Sequence, residues 1–160
     1  MEELRSLFSY HRWATAKLLK HLCQLPESIV FQEIQSVFPS IIKTLEHVYD
    51  VDVLWFSRIK GTPIVSNISF SSINEAKEKF GALHEEMELF YEKINGFDKV
   101  AYSNSAGEMF VNTAKELVQH IVNHGTYHRG NITAMLWQTG QRGASTDYIF
   151  YLRESELPRT

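Results

Sequence analysis

The sequence predicts an all-α protein, a four-helix bundle with a short hairpin or extended loop ahead of its last long helix. Three observations carry that prediction. Four long stretches place apolar residues three and four apart, the spacing that gathers side chains on one face of a helix. Start and stop signals bracket these stretches: Pro26, Gly61, Gly96 and Gly140 at the ends, Ser72 with Glu75 and Thr113 with Glu116 at two of the starts. The chain has 160 residues, 44% apolar and 22% charged, which suits one domain over 1–160 with a single sizeable core. Four such helices in one domain fit a bundle.

From Leu4, apolar residues recur at Leu7, Phe8, Ala14, Leu18, Leu22 and Leu25. Pro26, which has no amide hydrogen to donate, stops that first helix. The second begins near Pro39 and carries Ile41, Leu45, Val48, Trp55 and Ile59 on one face, ending at Gly61. In the third, Ile73, Ala76, Phe80, Leu83, Met87, Phe90 and Ile94 form the apolar stripe, with charge almost everywhere else. Ser72 and Glu75 make a capping box at its start, and Gly96 closes it. Between Lys99 and Val111 the pattern changes: VAYSNSAGEMFV has two short β-prone runs around a Ser-Ala-Gly turn, the signature of a small hairpin or extended loop. Thr113 and Glu116 form a second capping box. It opens a helix through Leu117, Val118, Ile121, Ile132, Met135 and Leu136 to Thr139, with Gly140 as the stop. A shorter helix or turn follows around Asp147 to Arg153. Repeats, linkers and low-complexity segments are absent from the sequence.

Sixteen Lys and Arg against nineteen Asp and Glu give a net charge of −3, which offers no basic face for nucleic acid. The one cysteine, Cys23, rules out an internal disulfide and a Cys-based zinc site; on a helix it reads as a small apolar filler. The start, MEELRSLFSYHRW, is charged and amphipathic, unlike a signal peptide. No apolar run approaches the roughly 20 residues of a membrane span. The expectation is a cytoplasmic protein with neither nucleic acid nor membrane as partner.

The stretch HIVNHGTYHRG holds three of the seven histidines, His120, His124 and His128, spaced four apart. On a helix each step of four rotates about 40° beyond a full turn, so the three line one side. Two neighbours of the set can share a metal ion. All three cannot easily do so, because His120 and His128 lie about 12 Å apart along the axis. A third ligand must come from elsewhere. The histidine face continues into Ile121, Ile132 and Met135, which points the rings inward, and an inward imidazole needs a hydrogen-bond partner or a metal. Gly125 and Gly130 each cost the helix up to about 1 kcal/mol relative to Ala, either for close helix packing or for room beside a site. Of the other histidines, His21 and His84 sit among polar and charged neighbours and read as solvated. His11 lies on the first helix's apolar stripe. His47 edges the second helix's apolar face, with Asp50 one turn on to orient its ring. The residues alone leave His11 and His47 both open as the third ligand, with His47 ahead.

YHRWATAKLL near the start, LEHVYDVDVLWFSRIKG in the second helix, HIVNHGTYHRGNITAMLWQTG in the fourth and the closing TDYIFYLRE occur in that order. Together they resemble the DinB (damage-inducible) family over nearly the whole chain. The resemblance implies a four-helix bundle with a divalent metal held by one histidine of the second helix and two of the fourth, here His47, His124 and His128. His120 matches a position one turn before those ligands and would line the site. Asn131 stands where the family usually has Gln.

Three neutral imidazoles would leave the ion with open positions, and zinc, nickel and iron all suit them. Asn123, not Glu, precedes His124, so the HExxH arrangement of metalloproteases is absent. Relatives of the fold use low-molecular-weight thiols such as bacillithiol or mycothiol. By resemblance the chain would be a metal-dependent thiol S-transferase in stress or detoxification, joining a small-molecule thiol to an electrophile. Arg129 or Arg58 would meet the cofactor's carboxylates; Arg129 reads equally as half of a helix-surface ion pair. The alternative is a non-catalytic, stress-induced metal-binding module in which the ion steadies the bundle. The family also implies a homodimer, and ten Phe with three Trp are many large aromatics for one small bundle.

Overall fold

Ser40, Ser72 and Thr113 each turn a side-chain oxygen onto an amide of the turn that follows, at Lys43, Glu75 and Glu116, and so begin three of the long helices. The computed structural model describes residues 2–156, with side chains placed for 4–155; the ends of the expected domain beyond these lie outside the described residues. In chain order the elements are α1 (Glu2–Leu22), α2 (Glu27–Phe31), α3 (Ile41–Ile59), α4 (Ile73–Tyr91), β1 (Lys99–Ser103), β2 (Met109–Thr113), α5 (Ala114–Gln138) and α6 (Tyr148–Glu156). The described chain is mostly helical, with one two-stranded antiparallel hairpin.

Several boundaries differ from the sequence reading. α1 stops at Leu22, ahead of Leu25, and Pro26 serves as the N-cap of the short α2. A proline is at home there because the first amides of a helix lack partners anyway. α4 ends at Tyr91, before Ile94 and Gly96. Beyond it, Asn95 Oδ1 accepts the Phe97 amide and Asp98 Oδ2 the Asn95 amide, side-chain bonds that compete with helix. Gly96 instead offers its carbonyl to the Lys115 amide at the start of α5. The cap of α4 is also altered: Glu75 reaches back to the amide and hydroxyl of Ser71 rather than to Ser72. The Thr113–Glu116 capping box is complete.

In the hairpin, Lys99 pairs with Thr113 and Ser103 with Met109. The turn is folded by Asn104, whose Oδ1 accepts the amides of Ala106 and Glu108, and by Gly107 at φ 82°, a conformation glycine adopts without strain.

α1 packs against α4 and α5, and α3 packs against the same two helices. Their apolar stripes make two buried clusters. One holds Leu18, Leu22, Leu45, Phe80 and Ile132; the other holds Phe8, Phe56, Met87, Tyr91 and Ile121. Each long helix also buries polar side chains: His11 on α1, Asp52 on α3, His84 on α4, and His128 and Arg129 on α5. A polar layer thus crosses the middle of the fold. Among the described residues, no helix is long and apolar enough to cross a membrane.

Candidate metal centre

The polar layer divides into two groups, and in each a ligand atom from every member lies within 4.8 Å of the others. The first is His47, His124 and His128. The four-residue step puts His124 and His128 on the face of α5 that meets α3, where His47 stands. Ring centroids are 4.4 Å apart for His124 and His128, 4.8 Å for His47 and His128, and 5.0 Å for His47 and His124. His47 Nε2 and His124 Nε2 approach to 3.1 Å, so at most one of them carries a proton there. Burial, with the neighbouring rings adding to it, lowers His124 and His128 to about 4, and burial lowers His47 against the opposing charge of Asp50. Near neutral pH the three rings are uncharged and have lone pairs to give.

Three features around the rings escaped the sequence. Phe38, just before α3, stacks on His47 with centroids 4.6 Å apart; nothing in the sequence points to it. Asn131 Nδ2 lies 3.4 Å from His128 Nδ1, one turn along the same helix. With that amide turned by 180°, its Oδ1 accepts the Nδ1 hydrogen of His128 and the Nε2 lone pair is left to face the group. His124 Nδ1 is buried and has no hydrogen-bond partner. A histidine that ligates through Nε2 carries its hydrogen on Nδ1 and normally donates it to a second group. The donor set suits a divalent ion, since it consists of neutral imidazoles brought together. Asp50, expected to orient His47, accepts the Ile68 amide and reaches the ring through its charge.

His120 is exposed, a correction to the expectation that all three rings of α5 point inward. Two steps of four residues turn it about 80° from His128. It lies edge-on against Trp55 at 4.8 Å and 6.0 Å from His124. Arg58 covers Trp55 and Tyr102, 4.5 and 5.0 Å from their centroids, and donates to Ser103 O. These side chains form a rim beside the histidine group.

The second group is His11, Asp52 and His84. His84 was expected to be solvated and is buried instead. Its charged neighbours in sequence misled; its place four residues after Phe80 and three before Met87 puts it on the core stripe. His21, read the same way, is half-exposed, with Nε2 2.7 Å from Arg142 O. Asp52 Oδ2 lies 3.1 Å from His11 Nε2 and 2.8 Å from His84 Nε2. Arg129 Nη1 is 3.3 Å from His11 Nδ1. Because Arg only donates, His11 Nδ1 accepts and its Nε2–H donates to Asp52. Burial drives His11 down to about 4. For Asp52, burial pushes upward, but the charges and hydrogen bonds of His11 and His84 outweigh it and hold the carboxyl well below the usual range. The buried carboxylate and the buried guanidinium therefore balance across a neutral ring.

Arg129 is not in a surface ion pair. Its other bonds go to Thr15 and Thr126, and its guanidinium turns towards α1, whereas His124 and His128 face α3. Gly125 answers the choice posed by the sequence: a Cβ there would stand 2.3 Å from His11 Cε1, so the glycine makes room for that ring. A Cβ at Gly130 would meet nothing within 4 Å.

These histidines make stability depend on pH. His11, His124 and His128 titrate near 4 in the fold, against about 6.5 in an unfolded chain. Between those values the unfolded state binds more protons, so stability falls as pH drops. The limiting slope is about 1.4 kcal/mol per pH unit for each proton, and less for the half-buried ring of His124. Urea midpoints of the metal-free protein should decline steadily from pH 7 to pH 4; a flat profile would contradict the neutral rings.

The sequence profile of the DinB family matches residues 1–159. "Protein DinB" from Bacillus subtilis (strain 168) is 39% identical over 157 residues, which cover 91% of each chain.

Proposed function

The chain belongs to the DinB family, and on that premise we propose that it binds one divalent metal ion through His47, His124 and His128, carried by a four-helix bundle of α1, α3, α4 and α5. The observation that carries this reading is the convergence of three neutral rings from two helices, with His124 Nδ1 and His128 Nδ1 on their outer sides. A divalent ion held there supplies Lewis acidity, which favours the thiolate form of a thiol.

The chemistry that fits best is S-transfer from a low-molecular-weight thiol of the bacillithiol kind to an electrophile. His47, His124 and His128 would hold the centre in place, and their neutrality leaves room for an anionic sulfur. The rim of Trp55, Tyr102 and His120 would exclude water on one side. Arg58, poised over Trp55 and Tyr102, is better directed than Arg129 to meet a carboxylate of the thiol. The reading of a non-catalytic metal-binding module draws support from Phe38, which stacks on His47 and also comes within 5.7 Å of His128, narrowing the approach.

Calorimetry separates the two. If a thiol binds as thiolate, binding near neutral pH releases a proton, because the free thiol's pKa is about 8.5. The apparent enthalpy should then differ between two buffers of different ionisation enthalpy, and the metal-free protein should show no such difference. Equal enthalpies in both buffers would leave only the module. A homodimer is part of the same proposal, with exposed Met109, Phe110, Tyr127 and Trp137 as apolar area to cover; sedimentation at micromolar concentration showing only monomer would reject it.

A further inference from the structure

Resting on the metal reading above, we infer that Asp52 is the positioning residue for His124, its free carboxylate oxygen receiving the Nδ1 hydrogen of that ring. The two carboxylate oxygens of Asp52 are used unequally. Oδ2 takes both His11 and His84. Oδ1 is buried and has no partner. His124 Nδ1 is likewise buried without a partner. One is an acceptor with capacity to spare, the other a donor once Nε2 is given to an ion. Leaving such buried groups unmet is costly, so one acceptor and one donor in the same layer call for each other.

Gly125, next to His124, lies so close to His11 that even a methyl group would overlap the ring, and His11 is the ring that Asp52 holds. His11 and His84 draw Oδ2 towards α1 and α4, and Oδ1 is the oxygen left for α5. The Asp52 charge also acts on His124. A hydrogen bond between them, direct or relayed by water, completes both atoms. Tyr91 OH, buried, unpartnered and also under the Asp52 charge, is a further group for such a water, which commonly makes about three bonds. Arg129, across His11, balances the charge that makes Asp52 useful here. A carboxylate behind a ligating imidazole fixes its tautomer and orientation and raises its basicity.

The test compares zinc affinity of the metal-free wild type and Asp52→Asn by competition with a chromophoric chelator, under conditions where near-ultraviolet circular dichroism shows both fully folded. Asn keeps the size and removes the charge. Loss of fold stability alone does not change the affinity of a protein that is already folded, so a purely structural Asp52 predicts unchanged binding. The inference predicts weakening of about 10–100-fold, and wild-type-like affinity overturns it while leaving the metal site intact. If the wild type itself binds no zinc, the metal reading fails and this inference with it. Should Asp52→Asn not fold, nitrogen-15 histidine spectra of the zinc-loaded wild type decide. His124 bound through Nε2, with an exchange-protected hydrogen on Nδ1, upholds the inference. Binding through Nδ1, or an unprotected hydrogen there, overturns it.

Discussion

Replacing His124 with Ala is expected to weaken zinc binding by more than about a hundredfold, beyond the range for loss of a merely supporting residue. His124 is the middle of the group. Its Nε2 meets that of His47 at 3.1 Å, and its ring is the nearest neighbour of His128 at 4.4 Å. Without it His47 and His128 remain, two ligands on different helices with no third nitrogen between them. His21→Ala is the control, since that ring is bound to Arg142 O away from the polar layer. His84→Ala would be a poor one, because His84 is buried against Asp52. Metal content and chelator competition read the outcome, and full occupancy in His124→Ala would sink the assignment. The metal-free variant should also lose less stability than wild type on going from pH 7 to pH 4. A ring held neutral in the fold and protonated in the unfolded chain has been removed.

How far the sequence could be read depended on the range of the interactions involved. Long helices announce themselves through periodicity and caps, which are local, so α1, α3, α4 and α5 were legible with small errors at their ends. Those errors arose where a side chain such as Asn95 captured the backbone, or where Pro26 began one helix rather than ending another. The short α2 was missed because five residues carry no period. Within the candidate site, the spacing on α5 showed that two neighbouring histidines could share an ion, and the family resemblance chose His124 and His128; His47 stood ahead of His11 from the residues and was then chosen by the same resemblance. Asp52 was overlooked although an acid between Val48 and Phe56 on an apolar stripe is a detectable signal: a buried carboxylate must have partners. His84 was misjudged by its neighbours in sequence when its neighbours at helical spacing were the relevant ones. Phe38 and the direction of Arg129 depend on how separate elements meet, which no local pattern encodes.

The polar layer also explains a contrast between two glycines of one helix. Gly125→Ala should destabilise the metal-free protein by about 3 kcal/mol, combining overpacking of roughly 1–3 kcal/mol with a broken buried hydrogen bond of similar size, less up to about 1 kcal/mol of gained helix propensity. The new Cβ would stand 2.3 Å from His11 Cε1, 2.6 Å from His11 Nδ1 and 2.9 Å from Arg129 Nη1. That ring cannot simply step aside, because Asp52 holds one nitrogen and Arg129 the other. Gly130→Ala meets nothing within 4 Å on an exposed position and should stabilise by up to about 1 kcal/mol through propensity alone. Urea unfolding of the two variants measures both, and equal effects would show that His11 does not set the need for glycine at 125. A double variant sharpens the point. His11→Ala removes the ring the methyl group would strike, so Gly125→Ala in that background should cost far less than it does alone, a departure from additivity that only a shared contact produces.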